Sequence, residues 1–507
     1  YKNIKLQGYG PDVTSIDGRF LGFGAGAVFD IDAWEAKMAA INPVGPQAGG
    51  LVPIGQVVTV VATSSGTHNN NNFPTQIDGF TIIGGDSARA GNSAAPSQGG
   101  GIYAHARARR LVVSNNLIQA NAGNAGGGII LGQAYVGNNF NQDIRIHHNR
   151  VLNNGGLILA GGIAIFNNAD RYEIDHNVIC GNQSAEYGGG ISHFGLSDGG
   201  QIHDNQIVFN SAFDEGGGIM IAGELPIQPD SLSAGSGDVT IERNLIQHNL
   251  SNDDGGGIRL LMPVDGQVRI VNNMIVNNLA TDVGGGMALD DALNVEIVNN
   301  TVARNVSTAT AEDADRLTCG PPALGSCPHV AGIASQPHSA ALLDRNPTPP
   351  TDFSDPLMFN NVIWENQAWY LNNGADPMHP LSPDGMIDLE VYLPVAPETM
   401  SPHYSLLTAD YDGCTSGGNN CLIGSPNLVT PIDLNFHALP LLGAPAFIGV
   451  AISATPADNQ GDYHLNTGSL AINAGAASFG GVNAPAVDFE MDTRSTPPDM
   501  SADEFIP

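Results

Sequence analysis

The sequence predicts an all-β solenoid, a stack of coils each built from short strands. Three observations predict it. An asparagine pair five residues apart, with an aliphatic residue two after the first, is written eight times: Asn116/Asn121, Asn149/Asn154, Asn177/Asn182, Asn205/Asn210, Asn244/Asn249, Asn273/Asn278, Asn300/Asn305 and Asn361/Asn366. Interleaved with it, Gly99-Gly100-Gly101-Ile102 recurs as Gly-Gly-Gly-Ile starting at 126, 188, 216 and 255. Ala160-Gly161-Gly162-Ile163 and Gly284-Gly285-Gly286-Met287 are degenerate copies. Successive copies lie mostly 27 to 29 residues apart, with longer gaps where a loop is inserted, and a period in that range marks a solenoid.

Each element of the coil follows from residue chemistry. Before the first Asn, apolar residues alternate (Ile144 and Ile146, Tyr172 and Ile174, Val239 and Ile241, Val268 and Ile270, Val295 and Ile297), as in a strand with one face buried. After it comes a second buried position: Val151, Ile179, Ile207, Ile246, Ile275, Val302 and Ile363. Asparagines at one phase stack their amides about 4.8 Å apart as a hydrogen-bonded ladder, which we prefer to a ligand-binding role. The same asparagines are expected to take the left-handed backbone conformation at the bend. The glycine run allows a sharp turn and close backbone approach before a third strand starts at the aliphatic.

Those motifs, with the opening segment Ile77-Asp78-Gly79-Phe80-Thr81-Ile82, resemble right-handed parallel β-helix repeat proteins of the pectate-lyase-like superfamily over about residues 60–370. The resemblance implies a right-handed parallel β-helix of about ten coils, and says little about activity, since that superfamily holds lyases, hydrolases, epimerases, adhesins and inert surface proteins. Asp462-Tyr463-His464-Leu465, Gly468-Ser469, Ala474-Gly475, Val487-Asp488-Phe489 and Ser501-Ala502-Asp503-Glu504-Phe505 are similar to the closing segment of large secreted bacterial β-helix proteins. The expected organisation is an N-terminal cap at 1–57, the β-helix at 58–366 with insertions near 223–237 and 306–355, and an irregular C-terminal lid at 367–507. Solenoid ends need such covers, because an open coil edge pairs with other strands.

Fifty acidic against 18 basic residues give a net charge of −32, which argues against nucleic acid and anionic membranes as partners. Only Lys2, Lys5 and Lys37 are lysines. The balance favours cation binding or the solubility of a long rigid body. No apolar stretch of about 18 residues encodes a membrane span. Tyr1-Lys2-Asn3-Ile4 reads as mid-domain sequence, as expected of a processed chain. Cys319 with Cys327 and Cys414 with Cys421 are spaced for two local disulfides in an extracellular protein, bacterial and secreted or cell-surface; Cys180 is left as a packed thiol.

Two constellations carry candidate chemistry. Glu186, Asp214, Asp253 and Asp282 share the phase two residues before the glycine run, with Glu215 and Asp254 beside them. Stacked about 4.8 Å apart, adjacent carboxylates repel by about 1 kcal/mol in water and several times more near a protein surface. A cation, proton uptake or splaying into solvent relieves that, and Ca²⁺ suits acids on neighbouring coils. Arg259 follows Asp254, and acids holding Ca²⁺ beside an arginine base resemble the pectate-lyase arrangement, with Arg259 as the implied catalytic base. The positions expected to line its groove, Tyr103, Ile130, Ala164, Ser192, Met220 and Ala288, are mostly apolar or small.

The second constellation is a column of Ser114, His147, Asp175, His203 and Glu242, flanked by His148, His176, Asp204 and Arg243. His147, Asp175 and His203 are the candidate acid/base or metal-binding residues here; alternating opposite charges also keep an exposed parallel sheet free of like-charge repulsion, which is the preferred reading. His105 and His193 are expected as satisfied core residues. No Walker loop, dinucleotide fingerprint, GxSxG or HExxH motif occurs. Two functions remain. One is a secreted or cell-surface scaffold for assembly or adhesion, cation-stabilised, partnered by other surface proteins or itself, with Ile130 and Met220 expected outward for contacts. The other is a Ca²⁺-dependent polysaccharide-active enzyme, a lyase first and a hydrolase or epimerase next.

Overall fold

The computed structural model describes residues 5–18, 36, 40, 55–61, 74–87, 99–133, 139–224, 232–311, 325–372, 380–393, 397–414, 419–440, 448–453 and 460–505. Cys319 and part of the 223–237 insertion lie outside them. The chain forms two compact units, Tyr1–Ala212 with Met220–Val239, and Phe213–Ile219 with Thr240–Pro507. Both are parallel β-helical.

In unit 1 one coil runs through the strands Ile129–Leu131, Arg145–His147, Arg150–Leu152 and Gly155–Gly156. The next repeats them as Ile163–Phe166, Glu173–Asp175, Val178–Cys180 and Gln183–Ser184. All four positions pair in parallel from coil to coil: Ile129 opposite Ile163, Ile146 opposite Ile174, Val151 opposite Ile179, Gly155 opposite Gln183. Every aliphatic named above for the strands flanking the first Asn is buried.

Within unit 1 the asparagines form two columns. Asn116 Nδ2 donates to Asn149 Oδ1, Asn149 to Asn177, and Asn177 to Asn205, each at 3.0 Å. Asn121, Asn154, Asn182 and Asn210 repeat this at 2.9–3.0 Å. The left-handed conformation falls elsewhere than expected. It belongs to the residue before each ladder Asn, with φ of 54° at Asn115, His148 and His176 and 56° at Asp204. The bend therefore turns a variable side chain outward, while the Asn itself points in to satisfy backbone.

In unit 2 the strands on either side of the first corner merge, giving Ile258–Val271 and Met287–Val298 as continuous neighbours. Their glycine turn needs glycine twice. Gly255 has φ of 68°, and a Cβ on Gly256 would lie 2.4 Å from the Leu279 carbonyl oxygen. The stretch expected as a loop at 306–355 holds the strand Ile333–Ser335, parallel to Met287–Leu289, and a six-residue helix, Ala340–Arg345, capped by Ser339. Coil stacking also continues past Asn366: Leu389–Val391 pairs with Ile333–Ser335, and Leu406–Leu407 with Val362–Ile363.

The C-terminal segment lies along the flank of these coils. Tyr463, Leu465, Ala471, Met500 and Ala502 pack on Met274, Val276, Ala303, Val362 and Trp364. It is docked through the outward bend residues: Asn272 Nδ2 donates to the Val487 carbonyl, Asn299 to Asp499, and Asn360 to Ala476, at 2.8–2.9 Å. Cys414 and Cys421 form a disulfide with Cα atoms 5.6 Å apart, Cys327 is also disulfide-bonded, and Cys180 is a half-buried free thiol.

Candidate functional site

Arg259 sits mid-strand after the glycine turn, in register with Ala288, and its side chain is only 3% exposed. Glu215 takes it as a fork, accepting from Nη2 at 3.0 Å and from Nε at 3.2 Å. Asp254 Oδ2 lies 3.4 Å and Asp290 Oδ2 3.9 Å from Nη2. Gln336 closes the ring: its Oε1 accepts from Nη2 at 3.4 Å and its Nε2 donates to Asp254 at 2.8 Å. The expected acids divide. Glu215, Asp253 and Asp254 bring one carboxylate oxygen each within 4.8 Å of one another. Asp214, Asp253 and Asp282 do share a rung register, as Gly216 N–H meets the Asp254 carbonyl and Asp282 N–H the Asp253 carbonyl. Asp282, however, turns to His329, 2.5 Å away. Glu186 lies in unit 1, where burial raises its pKa.

One buried guanidinium faces three carboxylates, and burial disfavours the charged form of two of them, Asp254 and Asp290. Burial opposes charge on Arg259, but Glu215, Asp254 and Asp290 outweigh it and keep the proton on. Burial pushes Asp254 well above the usual carboxylate range, with Arg259 only partly offsetting it. Asp290 is pushed up to about 6 by the same cause. A carboxyl whose folded pKa is raised adds stability below its unfolded pKa, and that stability is lost as pH climbs through the folded value. Asp503, raised to about 6 by burial, acts with the same sign. Buried His105 and His193, lowered to about 4, act with the opposite sign in the same window, so the comparison of a variant with its parent carries the test. Relative to the parent, Asp290→Asn is expected by calorimetry to gain roughly 1.4 kcal/mol more stability at pH 7.5 than at pH 5, and an unchanged pH dependence in that variant would acquit Asp290.

The second column also forms, in unit 1. Asp78, Ser114, His147, Asp175 and His203 stand opposite one another on successive strands. Asp175 is wholly buried and accepts Arg145 Nε and Nη2 at 2.9 Å each. Its Oδ2 also faces His176 Nδ1 at 2.9 Å. His203 lies between Asp204 (2.7 Å) and Glu173 (3.3 Å), and the Asp204 hydrogen bond raises its pKa. His147 Nδ1 is 3.0 Å from His148 Nδ1. Alternating charge thus links the coils laterally, as an exposed parallel sheet requires.

Other expectations are corrected. Tyr103, Ile130, Ala164, Ser192, Met220 and Ala288 are all buried, so Ile130 and Met220 offer no outward contact surface. His105 and His193 are core residues, bonded to Tyr103 and Tyr172 and lowered to about 4 by burial. Sequence reading missed Asp290 and Gln336. Asp290 lies in the strand beyond the glycine run, outside the phases that carry the two charged columns. Gln336 follows a strand whose only mark is the reduced turn Val330-Ala331-Gly332-Ile333. No family model and no curated protein matches this sequence.

Proposed function

We propose that this chain is a non-catalytic β-helical scaffold outside the cell, related to the pectate-lyase-like superfamily, whose coils serve assembly with other surface proteins or with itself. The observation that carries the reading is the confinement of Arg259. An arginine acting as base on a uronate must reach the sugar and give up a proton. Arg259 is buried, and its acids hold that proton in place. Calcium fits the acids poorly. Glu215 and Asp254 already contact the guanidinium, and an ion about 2.4 Å from their oxygens would crowd it charge against charge. We infer that Arg259 does internally what a cation would do for this acid ladder. The buried strand positions after the glycine turn agree with a body lacking a polyuronate groove there. The disulfide suits an oxidising compartment, and no described helix is long and apolar enough to cross a membrane.

The Ca²⁺-dependent enzyme retains one specific support, the convergence of Glu215, Asp253 and Asp254. Incubation with acidic and neutral polysaccharides, with Ca²⁺ or with a chelator, separates the two. The scaffold predicts neither unsaturated uronate absorbance near 235 nm nor new reducing ends. Product that depends on Ca²⁺ would overturn it.

A further inference from the structure

The bend residue before each ladder Asn has two fates. In unit 2 Asn272, Asn299 and Asn360 are among its holders, and each docks the C-terminal segment. In unit 1 the same bend carries His148 and His176, and both are exposed. Their rings stack with centroids 4.9 Å apart and planes 2° from parallel. His147, one residue earlier on the strand, adds a third imidazole.

We propose that His147, His148 and His176 form a site for a divalent transition ion of the Zn²⁺, Ni²⁺ or Cu²⁺ class, with Asp175 as the carboxylate that orients His176. The Nδ1 atoms of His147 and His148 are 3.0 Å apart, close to the roughly 3.3 Å that separates two imidazole ligands on one tetrahedral ion with bonds near 2.0 Å. One ligand atom from each of His148, Asp175 and His176 falls within 4.8 Å of the others. The stacked His148 and His176 rings aim their lone pairs in parallel, so coordination requires one ring to turn about its side-chain torsions, which exposed positions allow.

A second observation points the same way. The Asp175 carboxylate is buried and fixed by the Arg145 fork, and it faces His176 Nδ1. An imidazole that donates Nδ1–H to a fixed carboxylate presents the Nε2 lone pair outward, which is how metal-binding histidines are held. Imidazole donors select borderline transition ions over Ca²⁺ or Mg²⁺. Coordination would tie two successive coils together beside the asparagine ladder, independently of the Arg259 cluster.

The test is calorimetric titration of the chelator-treated full chain with Zn²⁺ and, separately, Ni²⁺. One equivalent should bind, and His148→Ala and His176→Ala should each weaken it by about tenfold or more while keeping the parent's melting temperature. His464→Ala, in the separate His464/Glu490/Asp503 group, should leave binding unchanged. No binding, or parental affinity in both the His148 and His176 variants, overturns the site; so does loss of binding in His464→Ala. Cu²⁺ electron paramagnetic resonance on the parent chain needs no variant. Nitrogen superhyperfine splitting is expected, and purely oxygen coordination sinks the proposal.

Discussion

Arg259→Leu should destabilise unit 2 by about 3–5 kcal/mol, because it strands Glu215, Asp254 and Asp290 without the guanidinium that pairs them. At roughly 2–4 °C per kcal/mol for a domain of that size, the melting temperature should fall by about 10 °C. The leucine fills part of the volume, so the loss is electrostatic rather than a cavity effect. Glu215 loses both hydrogen bonds of its fork, and Asp254 and Asp290 lose the charge that offsets their burial. Adding Asp290→Asn should recover part of the loss by removing one stranded acid. A solvent-facing catalytic arginine behaves differently: its replacement changes stability by less than about 0.5 kcal/mol and acts on turnover alone. Thermal and urea unfolding of the two variants therefore distinguish the assignments. An unchanged midpoint for Arg259→Leu would return Arg259 to the surface and reopen the enzymatic reading.

The coil was legible because its period is written in side chains that have one job. Asn149 and Asn177 can hydrogen-bond each other only if residues 28 apart stack, so their spacing sets the register of every strand between them. Ile333–Ser335 escaped because its turn keeps a single glycine and an insertion with its own helix separates it from Leu357–Phe359. Burial of Ile130 and Met220 escaped for a different reason. Period-2 alternation tells which side of a strand faces the coil interior, and long-range packing decides whether the other side meets solvent.

The site was legible in half. Phase alone placed Glu215 and Asp254 beside Arg259, since Asp254 and Arg259 flank one glycine turn and Glu215 precedes the equivalent turn of the coil before. The structure adds what phase does not give, a buried guanidinium already in contact with two of these acids. Asp290 and Gln336 join from the next two strands of the stack, and no local pattern announces that meeting. The left-handed bend was assigned one residue late because Asn tolerates that conformation well. Here the amide is needed more urgently inward, and residues as unlike as His148, His176 and Asp204 take the bend.

That inward duty sets the second large expected effect. Asn278 is fully buried; its Oδ1 accepts from Asn249 N at 3.0 Å and Nδ2 at 2.9 Å, and its Nδ2 donates to the Ile246 carbonyl at 2.9 Å and Asn305 Oδ1 at 3.1 Å. Asn278→Ala strands donors and acceptors on both adjacent coils, at about 1–3 kcal/mol for each buried group left unpaired, or about 3–6 kcal/mol together. Asn278→Asp should be at least as damaging, because a carboxylate keeps the acceptor, loses the donor and buries a charge. The ladder has a direction: each rung accepts from the coil before and donates to the coil after. An acceptor-only group therefore fits at the downstream end alone. The chain places Asp388 there, receiving Asn366 Nδ2 at 2.9 Å and Thr408 N at 2.8 Å, while Ser405 Oγ ends the parallel column. Asp388→Asn keeps one acceptor and sets its Nδ2 against the other donor, Asn366 Nδ2 or Thr408 N, so it should cost about 1–3 kcal/mol, less than Asn278→Ala. Circular-dichroism melts of the three variants test the polarity directly: Asn278→Asp melting with the parent would mean that the amide column is not what holds the coils in register.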